Sequence, residues 1–257
     1  MIDANGWLDW TTKIPGVADK VYTQPNTGLL GLALHSVVGS ETGFQDGIPN
    51  RFLNTERDAQ GRYTPNAAAS SMFVLRYSGE MIQMYPVTAS TWTSGGREAN
   101  CSTWAVEAEG GYLSAPGGYD EPLRPAQVAT MLRLCGEWEM KYGRQIKRSL
   151  VDRTLWEHQD LAKRFGTSAT ACPSKRYLPL YAALQEELDM TPAQQKMLSD
   201  VWLACTGGDA AVLENFNANP GNSLIALALA TNQRIAEHEV RPHAGGGHTH
   251  EATVTLA

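Results

Sequence analysis

The sequence predicts an α/β chain in which strands dominate the middle and helices the end, on three observations. "LALHSVVGS", residues 32 to 40, is an apolar run that ends in a glycine turn. "SMFVLRYSGEMIQMYPV" holds two apolar runs around "RYSGE", the pattern of a hairpin with glycine in its turn. "PLRPAQVATMLRLCGEWEMKYG" places Val128, Met131, Leu132, Cys135 and Trp138 at helical spacing, with Gly143 as its stop.

Taken in order, the first strand feeds a loop and ends on His35, an imidazole where an aliphatic residue would serve a plain core. A lone histidine there is either a hydrogen-bonded core residue or a ligand. Residues 41 to 69 are rich in turn formers and polar groups, which predicts a long surface excursion directly after it. After the hairpin, "STWAVEAEGG" reads as a short strand with Glu107 and Glu109 at alternate positions, hence on one face. The packed stripe of the following helix takes Cys135 as a buried small apolar residue. "TLWEHQDLAKRFGTSATACPSKRY" starts as a strand and becomes a loop that carries His158 and then Cys172. In "MTPAQQKMLSDVWLACTGG", Thr191 can cap a helix with Pro192 at its first position, and "NSLIALALATNQRIAEHEV" gives a last helix capped by Asn222 or Ser223. These signals divide the chain into residues 1–188 and a C-terminal helical module, 189–257, with a His/Gly-rich tail.

Composition narrows the function classes. The chain has 257 residues, 42% of them apolar, enough for an ordinary globular core. A net charge of −6 gives no electrostatic reason to expect nucleic acid. The apolar run "LIALALA" is far short of the roughly 20 residues of a membrane span. The start "MIDANGWLDWTTKIPG" has neither a basic head nor an apolar stretch, so no secretory signal is expected. Cys101, Cys135, Cys172 and Cys205 form no CxxC pair, which argues against a zinc ribbon or a thioredoxin-type redox pair. His238, His243, His248 and His250 lie around a short glycine run with no matching carboxylate framework, and read as adventitious metal binders.

His35, His158 and Cys172 sit at strand ends or in the loops that leave them. Mixed His/Cys ligation suits a catalytic zinc, which takes three protein ligands and leaves a fourth position to water. Their spacing matches no local zinc signature, so the residues alone leave structural roles open.

The surrounding words resemble the zinc-dependent N-acetylmuramoyl-L-alanine amidases of the type 2 family, related to phage T7-type lysozymes and animal peptidoglycan recognition proteins. "GLLGLALHSVVGS" resembles the family's first-ligand strand, and "SSMFVLRYSGEMIQMYPVTASTW" its hairpin. "TWAVEAEGG" is similar to "siGIE-x-eG", "PLRPAQVATMLRL" to the "PLT-x-Q" helix, and "LWEHQDL...TACPS" to "iGHrdi...T-x-CPG". The resemblance runs in order over about residues 25 to 180. It implies a mixed central β-sheet flanked by helices, a Zn2+ cofactor held by His35, His158 and Cys172, and hydrolysis of the amide between N-acetylmuramic acid and L-alanine in peptidoglycan. It also implies Glu107 as the general base, with Glu109 as rival, and Thr170 as a donor to the developing oxyanion. Two positions depart from the pattern. Ser71 and Met72 stand where many relatives carry Tyr-His or Ala-His, and "TWTSGG" puts Thr93 where many carry histidine.

The leading expectation is a phage-type lysin made in the host cytoplasm and acting on the cell wall after release, or carried on a virion. A recycling enzyme, a non-catalytic peptidoglycan-binding recognition module and a virion assembly component are the alternatives. The C-terminal helices are expected to pack on themselves, with homo-oligomer formation through them possible.

Overall fold

Strands buried along their whole length, with one short exposed strand at the edge, build a six-stranded mixed sheet in the computed structural model, which describes residues 1–37, 44–45, 48–111, 117–149 and 152–188. The sheet comprises β1 (Thr12–Lys13), β3 (Gly31–Ser36), β6 (Phe73–Leu75), β7 (Met81–Gln83), β9 (Thr103–Ala108) and β10 (Leu155–Glu157). Two small ribbons pair β2 (Val21–Tyr22) with β8 (Ser90–Thr91) and β4 (Phe44–Gln45) with β5 (Ile48–Pro49). The described helices are α1 (Asn50–Leu53), α2 (Arg97–Asn100), α3 (Pro125–Tyr142), α4 (His158–Phe165) and α5 (Leu178–Leu188). The strand order is β1-β7-β6-β9-β3-β10, and the β6–β7 hairpin supplies its one antiparallel pairing.

Helices cover both faces, which explains why the central strands read as nearly continuous apolar runs. On one face Leu32, Leu34, Trp104, Val106 and Leu155 pack against α3 and α5 through Met131, Leu134, Cys135, Trp138 and Leu180. On the other, the small side chains of Ala33 and Ala105 let α2 and α4 approach through Ala99 and Leu161, with Trp156 beside them. The α3 stripe is as the sequence predicts. Gln127 accepts the Arg124 N–H at 3.1 Å at the helix start, and Gly143 ends the helix in the left-handed conformation, φ 62°.

One glycine fixes the strand pairing that matters most for the site. Gly31 has φ +122°, and a Cβ there would fall 1.8 Å from the Thr154 carbonyl oxygen. Without that Cβ, the Leu32 N–H reaches the same oxygen at 2.9 Å and β10 pairs with β3 in the register Leu155↔Leu32, Glu157↔Leu34.

The structure differs from the sequence reading in two places. The stretch after β3 is not wholly superficial: Ile48 and Phe52 are buried against Val74 and Ile82, and the buried Lys20 ammonium donates to the Arg51 and Phe52 carbonyls at 2.8 and 3.1 Å. His158 opens helix α4 instead of lying in a loop. That helix buries Leu161 and Ala162, carries Asp160 in its first turn and Lys163 and Arg164 in its last, and ends at left-handed Gly166. The helices expected from residue 189 onward, with Thr191, Asn222, Ser223 and the tail histidines, lie outside the described residues.

Candidate metal centre

The C-terminal ends of β3, β9 and β10 converge on the face that carries Ala33 and Ala105. Such ends are the usual ligand side of an α/β sheet. His35 pairs in register with Glu107 across β3 and β9. His158 directly follows Glu157, whose partner is Leu34, so the β10 register delivers the second imidazole beside the first. The two rings lie 4.5 Å apart between centroids, at 47°. Cys172 arrives from the loop after α4, where its sulfur accepts the Ser36 N–H at 3.2 Å and its carbonyl accepts the Gln159 N–H at 2.9 Å. One donor atom from each of His35, His158 and Cys172 lies within 4.8 Å of the others. The fold thus brings together the three residues singled out in the sequence.

The donor set fits a zinc ion chemically. Burial, His158 and Arg51 hold the His35 imidazole well below its ordinary range. Burial also lowers His158, partly opposed by a hydrogen bond to the Ser94 backbone. Both rings are therefore neutral near pH 7 and offer lone pairs. Burial, and next the neighbouring Glu107, push the Cys172 thiol up to about 12, a cost that a cation at the sulfur would reverse.

Glu107 is 3% exposed, and burial pushes its carboxyl up to about 7 against the opposing pull of Arg51 and Arg176. The Arg51 guanidinium stands 3.6 Å from Oε1, while Oε2 is buried with no hydrogen-bond partner among the described residues. Glu109 differs. It lies one residue past β9, and its carboxylate accepts the Tyr77 N–H at 2.8 Å, anchoring the β6–β7 turn. Thr170 accepts the Cys172 N–H at 3.1 Å, so one of its lone pairs serves the ligand loop. It also lines an open cavity of about 550 Å³ beside Cys172, shared with Tyr119, Asp120 and Ser174.

The departures noted in the sequence have structural uses. Ser71 donates its hydroxyl to the Phe73 carbonyl, Met72 is fully buried in the main core, and Thr93 donates to the Ser70 carbonyl. Sequence reasoning missed three participants. Arg51 follows from no motif. Arg176, fully buried, donates to Ser36 Oγ and to the carbonyls of Ala108, Glu109 and Glu121, tying the ligand loop to the strand ends. Ser94 touches His35 directly, and its only sequence signal was its place beside Thr93.

Among solved structures, the chain is similar to the N-acetylmuramoyl-L-alanine amidase LysC from Clostridium intestinale URNW, at 15% identity and TM-score 0.44, covering 68% of this chain and 97% of that one. It is similar to the hydrolase AmiA of Staphylococcus aureus at 13% identity and TM-score 0.40, over 62% and 70% of the two chains. A selenomethionine derivative of AmpD aligns at 18% identity and TM-score 0.41, over 62% and 86%. No curated protein matches the sequence. The family profile described as N-acetylmuramoyl-L-alanine amidase matches residues 31–175, which spans every strand of the main sheet except β1, together with the three candidate ligands and Glu107. By that match over more than half of its length, the chain belongs to the type 2 N-acetylmuramoyl-L-alanine amidase family.

Proposed function

We propose that this chain is a zinc hydrolase that cleaves the amide between N-acetylmuramic acid and L-alanine in bacterial peptidoglycan, with His35, His158 and Cys172 as the metal ligands. The single observation that carries the reading is the gathering of two neutral imidazoles and a thiol within 4.8 Å, beside a buried carboxyl with a free oxygen. When bound, zinc supplies a Lewis acid for the attacking water and the scissile carbonyl. Glu107 then takes the proton of that water on Oε2 and delivers it to the leaving amine of L-alanine. A carboxyl raised to about 7 suits both halves of that transfer near neutral pH. Thr170 donates its hydroxyl to the carbonyl oxygen as charge develops there, while still accepting the Cys172 N–H. The open cavity beside Cys172 seats the muropeptide, with half-exposed Tyr119 offering an aromatic face. Retention of all three ligands favours a hydrolase over a recognition module that only binds.

The thiol gives this reading a pH signature. In the metal-free protein Cys172 keeps its proton up to about 12, and both histidines are already neutral at pH 7. Zinc uptake therefore expels at least one proton, and affinity rises with pH by about tenfold per unit between pH 6.5 and 8.5. Calorimetry in two buffers of different ionisation enthalpy counts the protons. An affinity that does not vary over that range removes the thiol from the ligand set.

We also propose a lysin role, on the cell wall after release or from a virion, with residues 189–257 as a separable helical module. In the described part, α5 belongs to the catalytic core, since Leu180 is fully buried against α3 and Tyr181 and Leu184 pack on the same cluster. A chain of residues 1–188 is expected to bind zinc and hydrolyse small soluble muropeptides, while losing activity on intact walls or changing its oligomeric state. Loss of zinc or insolubility on truncation would place the later helices in the core.

A further inference from the structure

The His35 ring is held by a residue that the catalytic reading does not use. Its Nε2 lies 3.0 Å from the hydroxyl oxygen of Ser94. Ser94 is fully buried, and its backbone is clamped: the side-chain oxygen of Asn100 accepts the Ser94 N–H at 2.7 Å and the Thr93 N–H at 3.2 Å. Asn100 is the buried last residue of α2, and its main-chain carbonyl accepts from the Asn26 amide at 3.1 Å. The hydroxyl is thus presented to His35 by a buried, hydrogen-bonded segment. A neutral imidazole has one N–H and one lone pair, and whatever engages one nitrogen decides what the other can do. Metal-ligating histidines in general donate their second ring N–H to an acceptor that sets tautomer and ring plane.

We propose that Ser94 is a positioning residue for the metal centre: its hydroxyl accepts the Nε2–H of His35, which leaves Nδ1 as the nitrogen that binds the ion. The assignment rests on the zinc reading above for its consequence, though not for the tautomer itself. Removing the hydroxyl should release His35 and leave His158 unchanged, a split that a general loss of packing would not produce.

The test uses the full chain, stripped of metal, with 15N-labelled histidine. The expected spectrum shows His35 as the Nε2–H tautomer. Ser94→Ala should convert it to a mixture of tautomers, keep the His158 signature, and lower zinc affinity by about 10–100-fold in a chelator competition. Ser94→Thr, which keeps the hydroxyl, should restore the His35 tautomer and most of the affinity. A parent protein with His35 as Nδ1–H overturns the proposal without any variant, and so does a Ser94→Ala affinity within about twofold of the parent. A chain that takes up no zinc yet shows Nε2–H defeats the zinc reading and leaves the Ser94 contact standing.

Discussion

Replacing Glu107 with glutamine is expected to lower turnover by about two to four orders of magnitude while zinc content and folding stay as in the parent. The amide keeps the size and shape of the side chain, but it cannot take a proton from water. Steady-state kinetics on a soluble muropeptide, with metal analysis of the same sample, separates loss of chemistry from loss of the ion. Glu109→Gln is expected to act differently, because it weakens the contact that anchors the Tyr77 turn. It should lower thermal stability and leave most of the turnover. The large kinetic loss appearing in Glu109→Gln alone would move the base to that carboxylate.

Cys172→Ser should weaken zinc binding by more than about 100-fold, since a thiolate is replaced by a neutral hydroxyl that is a poor ligand for this ion. The loss should carry activity with it at ordinary zinc concentrations and recover partly when zinc is added in excess. The fold is expected to persist. The loop that carries residue 172 is also tied by Arg176, by the Gln159 N–H and by Thr170, none of which needs the sulfur. Full zinc occupancy with unchanged activity in this variant would take Cys172 out of the site.

The sequence made much of the architecture legible because local signals and global packing agree. The α3 stripe, the glycine stop at Gly143 and the glycine-turned hairpin rest on periodicity and turn chemistry, which survive any tertiary context. His35, His158 and Cys172 were legible through ordered words around them, since their separation along the chain says nothing about distance in space. The β10–β3 register, fixed at Gly31 and Thr154, is what converts that separation into a 4.5 Å contact between rings. Helix α4 was hidden by its polar face: only Leu161, Ala162 and Phe165 mark its inner side, too few to stand out beside a strand and a ligand loop. The choice between Glu107 and Glu109 could not come from alternation either. The strand ends at Ala108, and the second carboxylate is claimed by a turn from another strand pair. Arg51, Ser94 and Arg176 stayed invisible because they act through contacts between segments distant in sequence, with no spacing of their own to betray them.

The central claim is a bond and a metal, and end-group analysis of purified peptidoglycan digested by the full chain tests both together. A zinc amidase of this specificity yields new amino-terminal L-alanine and no new reducing sugar ends, with abolition by a zinc chelator and recovery on adding zinc back. New reducing ends, amino termini of another residue, or release that persists with the chelator present would contradict it.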